Sequence, residues 1–245
     1  MIIERTEHPD WVSNAYLVED APGGTGLFID GNDVVEPLIA RAQADEVDVA
    51  AILLTHHHHD HLAGLEKIRD AFGVPVLAHE RTAAEVDITV DRMLADDEEV
   101  TFGGLTVKAL FTPGHAPGHL AFLVNGTDVF TADVLFKGTV GGTLAPGATG
   151  YEDLKASVER LLALPPETVV HPGHTLPTTV AEEREHNPFF RIWSGVDPEG
   201  SEPCQVRGQD ATLVLWAPDY DGTNKAWVRF PDGRDAIVGG SQVTR

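Results

Sequence analysis

Cysteine is almost missing from this chain: Cys204 is the only one. A single thiol excludes an internal disulfide and every cysteine-rich zinc site, so any metal must be held by other side chains. Basic residues are scarce as well, with 17 Lys and Arg against 39 Asp and Glu and a formal net charge of −22. A surface so acidic repels polyanions, which excludes nucleic acid as a partner. No apolar run reaches the roughly 20 residues that a membrane-spanning helix requires. The start, "MIIERTEHPDW", lacks the basic and then apolar pattern of a secretion signal, so a cytoplasmic protein without a membrane partner is expected. Repeats and low-complexity tracts are absent too.

What is present reads as an α/β chain. Its 245 residues suffice for one large domain and a small appendage. Short apolar runs bounded by turn residues predict strands at 14–20, 26–31, 48–54, 74–79, 105–115, 128–133 and 168–174. Helical spacing marks 34–44, then Leu62, Leu65, Ile68 and Phe72 up to Gly73, then 151–164. A further helix over 179–186 opens with Thr179 and Glu182 at capping-box spacing and stops before Pro188. Beyond residue 195 the character changes. "SGVDPEGSEPCQ" reads as a linker, and "ATLVLWAP", "KAWVRFP" and "DAIVGG" read as three short strands with Trp216 and Trp227 in a small core. The expected domains are 1–195 and an all-β extension, 196–245.

The chemistry gathers where strands end. "THHHHDHLAGL" (55–65) joins an apolar strand to a helix, the place in α/β folds where ligands collect. In an extended segment side chains alternate, so His56 and His58 can face one metal while His57 and His59 point away. Asp60 and His61 lie where the chain bends and can face a second metal. Later strand ends add His115 in "TPGH", Asp133 in "FTAD" and His174 in "HPGH". Imidazole with carboxylate suits zinc, iron or manganese. His8, His79, His171 and His186 are expected to be structural or surface residues.

"T-H-x-H-x-D-H" at 55–61, "TPGHAPGH" at 112–119, "DVLF" at 133–136 and "HPGH" at 171–174 resemble the metallo-β-lactamase superfamily. "LFKG" and "EEREHNPFF" resemble its hydroxyacylglutathione hydrolase-like (glyoxalase II-like) branch. The resemblance covers roughly residues 10–193. It implies an αββα sandwich holding two divalent metal ions, zinc first, with iron and manganese compatible. By position, His56, His58 and His115 would bind one ion, Asp60, His61 and His174 the other, and Asp133 would bridge them. A bridging water, its pKa lowered to about 7 by the two ions, would attack an acyl carbon with Asp60 orienting it. His119 would support the ligands by hydrogen bonding. The implied substrate is a small-molecule thioester.

Two features depart from glyoxalase II. Where that family carries a basic residue nine positions past the bridging Asp, to clamp a substrate carboxylate, this chain has Gly142, and the family's C-terminal helical region is replaced by the β extension. Lys137 is the candidate for attracting an anionic substrate group, and Gly138, Gly141 and Gly142 would let the chain approach a ligand closely or merely turn. The competing functions are a mononuclear iron persulfide dioxygenase using His56, His115 and Asp133, a lactone hydrolase of the same superfamily, and a metal-binding module without activity. The "HPGHTLP" segment departs from the dioxygenase pattern, and a complete ligand set argues against the inactive module.

Overall fold

The computed structural model describes every residue from Met1 to Arg245. The chain divides into two compact units: Met1–Phe111, Gly118–Ala132 and Gly173–Thr175 form one, and Thr112–Pro117, Asp133–Pro172 and Leu176–Arg245 the other. No helix is long and apolar enough to cross a membrane.

The first unit holds strands β1 (Ile2–Glu7), β2 (Asn14–Glu19), β3 (Thr25–Ile29), β4 (Asp48–Leu53), β5 (Val76–Ala78) and β6 (Arg92–Met93), in that order in one sheet. Strands β1 to β3 pair antiparallel, whereas β3 to β6 pair parallel. A parallel strand buried on both faces needs a continuous apolar run, and "AAILL" at 50–54 supplies one. Strand parity then divides the side chains. Tyr16, Val18, Leu27, Ile29 and Leu53 face a second sheet, while Ala15, Leu17, Phe28 and Ile52 lie under helices. That second sheet runs β7 (Glu99–Phe102), β8 (Leu105–Phe111), β9 (Leu120–Val124) and β10 (Asp128–Ala132), all antiparallel here. In β8 the alternation is clean: Leu105, Val107 and Ala109 enter the shared core and Thr106 is exposed.

Helices α1 (Glu36–Ala44), α2 (His59–Leu62), α3 (Leu65–Phe72) and α4 (Glu80–Ala83) complete this unit. Leu38 and Ala42 of α1 and Leu65 and Ile68 of α3 cover the outer face of the first sheet. Gly73, with φ +68°, ends α3 in the left-handed conformation that glycine adopts without strain.

The second unit carries the β11 (Leu135–Phe136) and β12 (Thr139–Val140) hairpin, α5 (Tyr151–Leu162), β13 (Val169–Pro172), β14 (Thr178–Thr179), α6 (Val180–His186) and α7 (Pro188–Trp193). Thr179 caps α6, its side chain accepting from Glu182 N at 3.2 Å. As expected, α6 stops before Pro188, and a further helix follows. Asn187 Oδ1 accepts from Phe189 N, and Pro188 at the first turn starts α7.

The C-terminal sheet has five strands, not three: β15 (Glu202–Val206), β16 (Gln209–Pro218), β17 (Asn224–Arg229), β18 (Asp235–Gly239) and β19 (Val243–Thr244), in the order β18-β17-β16-β15-β19. The end of the supposed linker is therefore a strand. Pro203 made "EPCQ" look irregular, but β19 pairs only with Gln205 and Val206, so Pro203 lies beyond the stretch it covers. One face of this sheet buries Cys204, Leu213, Ala226, Val228 and Val238 with Trp216 and Leu144 against them. Trp227 does not join that core. It projects from the opposite face and stacks on Tyr151, ring centroids 5.3 Å apart, with Trp193 at 6.2 Å.

Candidate metal centre

After β4 the chain runs without regular structure to His58, which is extended (φ −72°, ψ 141°), and α2 begins at His59. His56 Nε2 and His58 Nδ1 come within 3.1 Å, with ring centroids 4.7 Å apart. The ring of His57 is 6.4 Å from that of His56 and 4.6 Å from that of His58, and exposed His59 meets Trp11 edge-on at 5.3 Å. In the turn of α2, Asp60 Oδ2 lies 3.6 Å from His61 Nε2 and 3.6 Å from His174 Nε2. Ligand atoms of Asp60, His61 and His174 all fall within 4.8 Å of one another.

Asp30, which the sequence reading passed over, organises this region. It follows β3 with φ +57°, an uncommon conformation for a residue with a side chain. Its Oδ1 accepts from Thr55 N at 2.8 Å, and its Oδ2 accepts from Thr55 Oγ1 at 2.8 Å and from His61 Nδ1 at 3.0 Å. The Thr55 hydroxyl in turn accepts from His56 Nδ1 at 3.0 Å. One carboxylate thus places the proton of both rings on Nδ1 and leaves both Nε2 atoms free of hydrogen, as a metal ligand requires. A signal was available, because "GLFIDG" ends an apolar strand in Asp just as "DVFTAD" does.

His174 is tethered by its neighbours. Asn14 N donates to Gly173 O at 2.7 Å, Gly173 N donates to Ala132 O at 2.9 Å, and Ser13 bridges to His174. Arg5 Nη1 and Asn14 Nδ2 both donate to Thr175 O, at 2.6 and 2.8 Å, where the backbone has φ +66°. His119 is fully buried and stacks on His56, centroids 5.2 Å apart at 28°.

In the second unit His115 Nε2 lies 3.3 Å from Asp133 Oδ2, and its Nδ1 donates to Gly142 O at 3.0 Å. Gly141 is there for close approach, since a Cβ on it would collide with the Asp133 carbonyl oxygen. Gly138 (φ +75°) is a turn residue, and a Cβ on Gly142 would meet nothing nearer than Ile237 O at 3.6 Å. Buried Glu183 accepts from Gly138 N (2.9 Å), Thr178 Oγ1 (2.8 Å) and Asn187 Nδ2 (2.9 Å), and Asn187 Nδ2 also donates to Thr139 O (3.2 Å). Burial pushes the Glu183 carboxyl above its usual pKa against the pull of those donors. Glu183 and Asn187 therefore brace the hairpin that follows Asp133, and neither was picked out from sequence. Lys137 sits exposed at its tip.

His8, His79 and His186 play other parts. His8 Nδ1 accepts from Trp11 N at 3.1 Å, His79 Nδ1 caps α4 by accepting from Arg81 N at 3.1 Å, and His186 is exposed. His171 is buried in β13.

The spacing suits metal. Ligand atoms about 2.0–2.2 Å from a tetrahedral ion sit roughly 3.3–3.6 Å apart. The pairs Asp60–His61, Asp60–His174 and His115–Asp133, at 3.6, 3.6 and 3.3 Å, fall in that range. His56, His61 and His174 are nearly inaccessible, whereas the Asp60 side chain keeps 24 % exposure, so that carboxylate faces a route from solvent. Buried imidazoles and carboxylates so arranged support the binding of divalent metal ions.

Residues 8–174 match the model of the metallo-β-lactamase superfamily. The chain belongs to this superfamily. Among its metallo-β-lactamase relatives, the hydroxyacylglutathione hydrolase of Bdellovibrio bacteriovorus is 33% identical over 219 residues, 88% of this chain and 79% of that one. A protein solved in a di-iron-bound form, TTHA1623, is similar at 36% identity and TM-score 0.66, over 76% of this chain and 99% of that one. ETHE1 from Myxococcus xanthus is similar at 27% identity and TM-score 0.67, over 80% and 92%. The fold is the mixed α/β metallo-β-lactamase sandwich with an added C-terminal all-β sheet, in line with the sequence pattern.

Proposed function

We propose that this protein is a metal-dependent hydrolase of small-molecule thioesters with a dinuclear centre. His56, His58 and His115 would hold one ion, Asp60, His61 and His174 the other, and Asp133 would serve both. The observation that carries the reading is the donor spacing, a His56–His58 pair, an Asp60–His61–His174 trio and a His115–Asp133 pair at ligand distances. The hydroxyacylglutathione hydrolase relative supports the reaction class. Zinc fits the donors, and the di-iron neighbour makes iron the alternative.

Bound dications would supply the charge that acidifies a water and offsets developing negative charge on the acyl oxygen. The chain's own residues do the rest. Asp60, with a partly exposed carboxylate, would accept a hydrogen bond from such a water and aim it. Asp30 and Thr55 hold the rings of His56 and His61, and His119 buttresses His56.

Protein purified without added metal is expected to contain more than one metal per chain by elemental analysis, and to hydrolyse members of a thioester panel. A stoichiometric single iron together with oxygen consumption on a persulfide would overturn the proposal in favour of a dioxygenase.

The substrate carrier follows from what position 142 lacks. A charged hydrogen bond to a carboxylate is worth about 1.5–3 kcal/mol, so its absence costs roughly tenfold or more in kcat/KM. S-D-lactoylglutathione is therefore expected to be a poor substrate with a high KM. Because a Cβ at Gly142 meets only ordinary contact, Gly142→Arg can add the missing charge without displacing the backbone. It should improve kcat/KM for that thioester about tenfold, mainly through KM. If the native protein already prefers glutathione thioesters over every other carrier, this view of the carrier site fails.

A further inference from the structure

The loop that touches His115 is moored to the C-terminal sheet. His115 Nδ1 donates to Gly142 O at 3.0 Å, and the next residue, Thr143, is bonded three times to Ile237 of β18, the longest being Thr143 Oγ1 donating to Ile237 O at 3.4 Å. Thr143 N donates to Ile237 O at 2.8 Å, and Ile237 N donates to Thr143 Oγ1 at 2.8 Å. Both residues are buried, Thr143 at 4% exposure and Ile237 at 0%, so water does not compete for these groups. Leu144 then packs into the sheet's own hydrophobic cluster. The far end of the same loop returns to the other side of His115, where Thr149 N and Gly150 N both donate to Gly114 O, at 3.0 and 3.3 Å. Ile237 is itself held mid-strand, paired with Trp227, whose ring stacks on Tyr151 at the start of α5.

We propose that Thr143 is a positioning residue through which the C-terminal sheet fixes the ring orientation of His115. The sheet is thereby part of the apparatus that holds one metal ion. The physical reason is that a carbonyl accepting from Nδ1 decides both the tautomer and the direction of Nε2, and such outer partners set metal affinity. Gly142 O can do this only if its peptide is held still, and glycine has no side chain to hold it. The bonds of Thr143 to a buried strand supply the restraint. The proposal rests on the reading that His115 is a ligand, and the test separates the two.

The test titrates the full-length, metal-stripped protein with Zn²⁺ against a chromophoric chelator. The wild-type chain should take up two equivalents. Thr143→Val keeps the β-branched shape and the backbone bond but removes the oxygen that Ile237 N requires. It should weaken one of the two equivalents about tenfold or more and leave the other unchanged. Thr143→Ser should restore both, because the hydroxyl returns. His115→Ala should lose the equivalent that Thr143→Val weakens. Unchanged affinity of both sites in Thr143→Val would overturn the proposal, as would an equal loss at both sites, which marks a general structural defect. If His115→Ala still binds two equivalents at wild-type affinity, the assignment of His115 as a ligand is what has failed. Far-ultraviolet circular dichroism of each apo-variant checks that the fold is kept.

Discussion

Replacing His58 with alanine is expected to strip metal and abolish hydrolysis, while replacing His57 with alanine leaves both in place. The two residues are neighbours of the same type, so composition and charge are identical between the variants. Only direction differs. His58 itself is extended, and in an extended segment alternate side chains leave on opposite sides. His58 meets His56 nitrogen to nitrogen at 3.1 Å, whereas the ring of His57 is 6.4 Å from that of His56. Losing one of the few ligands of an ion removes the charge that the reaction needs, for which a fall in kcat of roughly a thousandfold, about 4 kcal/mol, is expected. Asp60→Ala should fall as far, since it removes both a donor and the group that aims the water. Metal content and kcat measured on the three variants decide the matter. If His57→Ala loses metal as completely as His58→Ala, strand parity does not govern the run.

Asp30 should prove nearly as sensitive although it is in no ligand motif. Asp30→Ala would strand Thr55 N and remove the acceptor that orients His61, and outer partners of this kind are worth about 10–100-fold in metal affinity. The near-isosteric Asp30→Asn is the sharper test. An amide whose oxygen still accepts from Thr55 N must present its NH2 to His61 Nδ1, which forces that nitrogen to accept and moves the ring proton to Nε2. The ring would then be unable to bind metal through Nε2. We expect Asp30→Asn to lose at least tenfold in Zn²⁺ affinity by competition titration, in spite of its conserved shape. Wild-type affinity in this variant would show that the Asp30 contact does not set the state of His61.

These two sites also mark how far local sequence carries. The elements were legible wherever the deciding forces are local or periodic. The "AAILL" run became β4, Leu65 and Ile68 became the buried side of α3, and Thr179 became the cap of α6. The places where strands end in His and Asp were equally visible, because a polar residue closing an apolar run stands out without any knowledge of its partners. Other features depended on residues far apart in the chain. Pro203 masked β15, whose existence depends on pairing with β16, and Asn187 with Pro188, which do stop α6, also start α7. Asp30 lies 31 residues before His61, and Thr143 lies 94 before Ile237, so no window could have joined them. The sequence by itself therefore determined the superfamily, the periodic elements and the candidate donors. Tertiary structure alone decided which carboxylate sets the histidine tautomers and which strand steadies the loop beside His115, because hydrogen-bond partners are chosen by distance in space.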